Sequence, residues 1–117
     1  MKLSKLKGEL RSVAVPIGDV GTLNVNYYPA KFTEQLQTEM AALEARVKAK
    51  QTSGEALEGE EATASAALLM RLMDSWDLED EKGAKIAPTA DILVNELGYI
   101  NINRITTAIM ESLNPNA

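Results

Sequence analysis

Neither cysteine nor histidine occurs in this 117-residue chain. Their absence excludes disulfides, thiol nucleophiles and imidazole bases, and with them almost every zinc, copper or haem ligand set. Aromatic residues are scarce: one Trp, one Phe and three Tyr make up 4% of the sequence. The core is therefore expected to be aliphatic, built from Leu, Ile, Val, Met and Ala. No apolar run approaches the roughly 18 residues that cross a bilayer, and residues 1–10 lack the apolar middle of a signal peptide. A protein that stays in the cytosol where it is made, with no membrane partner, is the expectation. Positive charge is in deficit as well, 12 basic against 17 acidic residues for a net charge of −5, which argues against nucleic acid as a partner. The local exception is residues 1–10 and Arg11, where Lys2, Lys5, Lys7 and Arg11 face Glu9 alone. This basic leader is smaller than a usual nucleic-acid or lipid footprint and reads as a solvated segment.

The motifs that carry chemistry are missing too. There is no phosphate-binding glycine loop, nucleophile elbow, metal-ligand cluster or aromatic-basic patch. Carboxylate pairs such as Glu60-Glu61 and Asp80-Glu81 fall in segments expected to be exposed, where no division into acid and base arises. Acids at alternate positions from Asp77 imitate a calcium loop. The register fails, because Lys82 stands where the turn needs Gly and Pro88 where the closing Glu belongs. No catalytic residue, metal or cofactor follows from the sequence, and a non-enzymatic, protein-binding role is expected.

What is present is helix and one hairpin. Val13, Val15 and Ile17 alternate, as do Leu23, Val25 and Tyr27, around Gly18-Asp19-Val20-Gly21. Residues 11–28 thus form a β-hairpin, with Pro16 marking the first strand as an edge or as bulged at that point. An isolated hairpin is marginal in water, so it must pack on helices or lend its edge to another chain. Thr33 caps a helix over 33–50 with Leu36, Met40, Leu43 and Val47 in a narrow stripe, either a helix-on-helix seam or the core-facing side of a surface helix. Residues 51–61 have the composition of a mobile loop. The remainder, 62–113, is helical. A central helix over Ala62–Trp76 carries Leu68, Leu69, Leu72, Met73 and Trp76 on one face, and an acidic turn surrounds Gly83. A short helix capped by Thr89 ends at Gly98, and a last helix capped by Asn101 carries Ile102, Ile105, Ile109 and Leu113. The methionines Met40, Met70, Met73 and Met110 suit either core or an adaptable binding surface. One small α+β domain over 1–117 follows, mainly α with an N-terminal hairpin and about four helices.

The order of these pieces, with Val13, Val15, Tyr27 and Pro29 in the hairpin region and Trp76-Asp77-Leu78, Asp80, Gly83 and Pro88-Thr89 later, resembles the tail-assembly chaperones of long-tailed, siphovirus-type bacteriophages. Ala30 stands where that family often has Gly, and the gap between Gly83 and Pro88-Thr89 is longer than usual. The resemblance implies a non-catalytic homo-oligomer in the cytoplasm of the infected host. Such a protein binds and solubilises the tape-measure protein, helps recruit tail-tube protein, and is absent from the mature virion. On that basis Leu36, Met40, Leu43 and Val47 are expected to form the self-association or client face, with Trp76 and Leu78 as a packing anchor beside it. The alternatives are a structural tail or connector component retained in the virion, and a small regulatory protein-binding domain.

Overall fold

A computed structural model describes residues 8–54 and 59–113. Strands β1 (Arg11–Ile17) and β2 (Gly21–Tyr27) form the expected antiparallel hairpin, with Val13 opposite Val25 and Val15 opposite Leu23. Because cross-strand partners share a face, the apolar residues collect on one side, where Val15, Leu23, Val25 and Tyr27 are buried. Pro16 lies in the edge strand, where its missing N–H removes nothing from the sheet interior.

The hairpin's second edge is occupied by this chain's own residues. β3 (Met73–Trp76) pairs antiparallel with β2, placing Trp76 opposite Val25, and completes a sheet of order β1-β2-β3. This corrects the expectation of a helix running through Trp76. Apolar spacing continues past residue 70, but the open edge of β2 offers ladder hydrogen bonds that a lone helical turn does not, and tertiary context overrides the local pattern. The junction is fixed on both sides. Tyr28 N–H donates to the Leu72 carbonyl at 3.1 Å and Asp77 N–H to the Asn24 carbonyl at 3.2 Å. On the outer, polar face, Asn24 returns two bonds to the Asp77 carboxylate, from its backbone N–H at 2.8 Å and its side-chain amide at 2.7 Å. These bonds hold the Asp77 carboxyl below the usual carboxylate range, the side-chain amide contributing most.

After a 3-10 turn at Pro29–Lys31, helix α1 spans Glu34–Ser53. Thr33 caps it by accepting from Leu36 N–H at 3.2 Å, as expected, and Gly54 ends it in the left-handed conformation at φ 81°. Helix α2 covers Gly59–Met70. The expected loop over 51–61 is therefore corrected at both ends, since 51–53 belong to α1 and 59–61 to α2; residues 55–58 and the basic leader through Lys7 lie outside the described residues. The acidic turn forms around Gly83, at φ 83°, with the Asp80 carboxylate accepting from Lys82 and Ala84 N–H.

The expected third helix shrinks to one α-turn, Ala90–Ile92, capped by Thr89 and followed by a π-helical turn, Leu93–Leu97. Gly98, at φ 79°, redirects the chain into helix α3, Gly98–Leu113. Among the described residues three helices rather than four result, and the last begins three residues before Asn101, whose side chain instead donates to the Leu97 carbonyl at 2.8 Å. Ile102, Ile105 and Ile109 are fully buried. α3 packs on both β1 and α2, placing the core between sheet and helices. Tyr27, itself buried, donates its hydroxyl proton to Ser112 Oγ at 2.5 Å. Among the described residues no helix is long and apolar enough to cross a membrane.

Candidate protein-binding groove

α1 packs on α2, while α3 packs on α2 and β1. Helices α1 and α3 flank a groove of about 590 Å³. Met40, Leu43 and Val47 form the α1 wall, Leu68 and Ile102 lie toward the floor, and Met110 with Thr106 forms the α3 wall. Polar side chains rim it: Gln37, Glu44, Lys48 and Gln51 on one side, Asn103 and Glu111 on the other. Glu44 and Lys48 neutralise each other one turn apart at 3.5 Å. An aliphatic trough about four turns long with a near-neutral polar rim is the shape that receives one face of an amphipathic helix.

Ion pairs fasten α1 along its length. Glu39 pairs with Arg71 beyond the C-terminal end of α2, and Arg46 with Glu60 at its N-terminal end, the latter at 3.3 Å. Lys50 lies against the Glu61 carboxylate. Glu61 belongs to the pair expected to be exposed, and this too is corrected, because its side chain has no exposed surface. Its pKa is lowered, first by the hydrogen bond from Lys50 and against the opposing effect of burial. At the α3 end of the groove, the Tyr99 hydroxyl is pushed the other way, above its ordinary pKa, by burial and then by the negative charge of Glu61.

The expected stripe is divided by the fold. Leu36 is fully buried in the core and cannot meet a client, whereas Met40 and Leu43 are half-buried and stand in the groove wall. Val47 is 8% exposed and also borders the groove. Trp76 and Leu78 are not beside this surface. Trp76 is buried at the end of β3 with its indole N–H donating to the Ile86 carbonyl, and the Leu78 carbonyl accepts from Ile86 N–H at 2.9 Å. Both secure the sheet to the acidic turn. The α3 wall was missed in the sequence, although Ile102, Thr106 and Met110 recur every four residues beside the Ile102-Ile105-Ile109 row. The methionines fall on both sides of their two readings: Met73 is buried in the core, while Met40 and Met110 line the groove.

Compared with protein-family models, curated proteins and solved structures, the chain matches none. The residues that carry the resemblance are joints of the fold. Tyr27 and Trp76 are core, Asp77 grips β2, Asp80 and Gly83 shape the turn, and Thr89 is a cap. None of these six lines the groove.

Proposed function

We propose that this protein is a non-catalytic assembly chaperone of a long-tailed phage, which shields apolar helical segments of the tape-measure protein and helps recruit tail-tube protein in the host cytoplasm. The observation that carries the reading is the groove between α1 and α3, with Met40, Leu43, Leu68 and Met110 available to a helix that brings its own apolar stripe. Flexible thioether side chains adapt to stripes of differing shape, as a long and variable client requires. The acidic balance of the chain keeps a complex with such a client soluble. The arrangement of Tyr27, Pro29, Trp76, Asp77 and Gly83 adds the resemblance to the family.

The test is co-expression with the tape-measure protein of the same genome, followed by light scattering of the soluble fraction. The expected outcome is a large soluble complex with the wild type, lost with Leu43→Glu or Met110→Glu while the circular dichroism of the free protein is retained. A client that precipitates equally with and without the wild type refutes the proposal. Recovery of the protein in purified particles refutes departure before completion and favours a retained tail component.

A further inference from the structure

α1 joins the core at one end only. Leu36 belongs to the buried core and Met40 packs against it, whereas Leu43 and Val47, farther along the helix, stand outside it. The second half of α1, residues 43–53, is held by other means. Val47 is its one buried residue, and two ion pairs tie it to the start of α2, Arg46 to Glu60 at 3.3 Å and Lys50 to Glu61. The Arg46–Glu60 pair is largely exposed, so solvent and salt weaken it. What remains to hold this half is Val47 and the Lys50–Glu61 pair.

The two members of that pair are unequal. The Glu61 side chain has no exposed surface, while Lys50 keeps 29% of its own. Lys50 meets Oε1 of the carboxylate, and Oε2 is buried with no hydrogen-bond donor among the described residues. Arg46 acts on Glu61 through its charge alone, and Tyr99 on α3 is near enough for its own proton to respond to Glu61. A buried carboxylate so thinly supported is tolerated because one ammonium neutralises it. Such a pair contributes little net stability, since desolvation offsets the attraction, but loss of the cation alone leaves an uncompensated buried charge. That charge has one short route to water: the second half of α1 moves off α2, giving up the packing of Val47 and of no core residue.

We propose that Lys50 and Glu61 form the latch of a hinged groove wall: α1 pivots at its Leu36 end, and its second half, carrying Leu43 and Val47, stays on α2 only while Lys50 neutralises the buried carboxylate. Released, that half swings outward and widens the groove. As control of access to the groove the proposal rests on reading it as a binding site. The hinge itself belongs to the free chain and is tested without a client, so failure of the latch and failure of the client reading are told apart.

Because the chain has no cysteine, paired nitroxide labels on introduced cysteines report distances in the full protein by pulsed electron resonance. Ala49 in the second half of α1, Gln35 beside Leu36 and Ala67 on α2 are all exposed. The Ala49–Ala67 pair reads the latched end and the Gln35–Ala67 pair the anchored end. Lys50→Met, Glu61→Gln and the two together are placed in both labelled backgrounds at neutral pH. Only Lys50→Met is expected to open, adding to the Ala49–Ala67 distribution a component longer by about one helical turn, ~5 Å or more, with Gln35–Ala67 unchanged. Glu61→Gln alone stays closed, because Lys50 is already part exposed and turns to water without moving the helix. The double variant stays closed because no charge is left buried. An Ala49–Ala67 distance indifferent to Lys50→Met overturns the latch. So does equal opening in Glu61→Gln or in the double variant, which assigns the effect to lost attraction or lost packing rather than to the buried charge. A Gln35–Ala67 distance that lengthens together with Ala49–Ala67 overturns the hinge, since α1 then leaves as a whole.

Discussion

Leu36 and Leu43 sit seven residues apart on one helical stripe, and the fold assigns them opposite fates. Replacing each by alanine tests that assignment. Leu36 has no exposed surface, so Leu36→Ala removes about three methylene equivalents at ~0.8 kcal/mol each. The enclosed cavity left behind adds to this, bringing the loss to ~3 kcal/mol, within the range for buried leucines. Leu43 is half-buried on a groove open to water, where truncation enlarges the groove without creating an enclosed void. About half the transfer contribution is lost, ~1 kcal/mol. A domain of this size shifts its midpoint by ~4–8 °C per kcal/mol, so Leu36→Ala melts ~12–24 °C below wild type and Leu43→Ala ~4–8 °C below it. Urea denaturation followed by circular dichroism gives the same comparison at one temperature. Equal destabilisation by the two substitutions, or a Leu36→Ala loss under ~1 kcal/mol, refutes the division of the stripe into core and groove. The comparison also decides which variants can report on binding, since Leu43→Glu is expected to preserve the fold and Leu36→Glu, which buries a charge in the core, to lose it.

Asp77→Ala removes the acceptor of two bonds from Asn24 and is expected to lower stability at neutral pH by ~1–2 kcal/mol, measured by urea titration. Because the folded pKa lies below the unfolded one, this contribution is present in full above pH ~4 and disappears as pH falls through the lower folded value, so the gap between variant and wild type narrows in acid. Tyr27→Phe leaves the ring in the core but deletes the bond to Ser112, at a cost of ~1 kcal/mol; a double-mutant cycle with Ser112→Ala should show that the two losses are not additive. Gly54→Ala places a Cβ on a φ of 81° at the end of α1 with nothing within 4 Å to obstruct it, so the ~1 kcal/mol loss read in thermal melts reflects backbone conformation alone.

Local chemistry made much of this fold legible. Thr33 and Thr89 announce their caps, alternation from Val13 to Tyr27 gives the strands with the correct inward face, and the isoleucine row defines the buried side of α3. β3 was hidden because Leu72, Met73 and Trp76 continue the helical spacing of Leu68 and Leu69. Nothing local to residues 70–76 states that β2 has a vacant edge, which is a fact about a segment some fifty residues away. The ends of the 51–61 stretch failed for a related reason. Thr, Ser, Gly and Glu mark solvent-loving sequence, but Lys50 lies against the Glu61 carboxylate and allows it to lie beneath α1. The groove was half legible: Met40, Leu43 and Val47 declare one wall, whereas the opposite wall depends on where α3 lands.

Tyr99 stands in the first turn of α3 and borders the groove. Its hydroxyl, with a raised pKa, remains a neutral phenol at physiological pH and can act as donor or acceptor without introducing a charge at an apolar surface. Under the client reading proposed above, a helix filling the groove would bear on this residue. Tyr99→Phe keeps the ring and deletes the hydroxyl, so titrating a client helix against wild type and variant separates the two contributions: a weaker complex assigns the hydroxyl a bond to the client, and an unchanged one leaves the apolar ring as all that Tyr99 supplies.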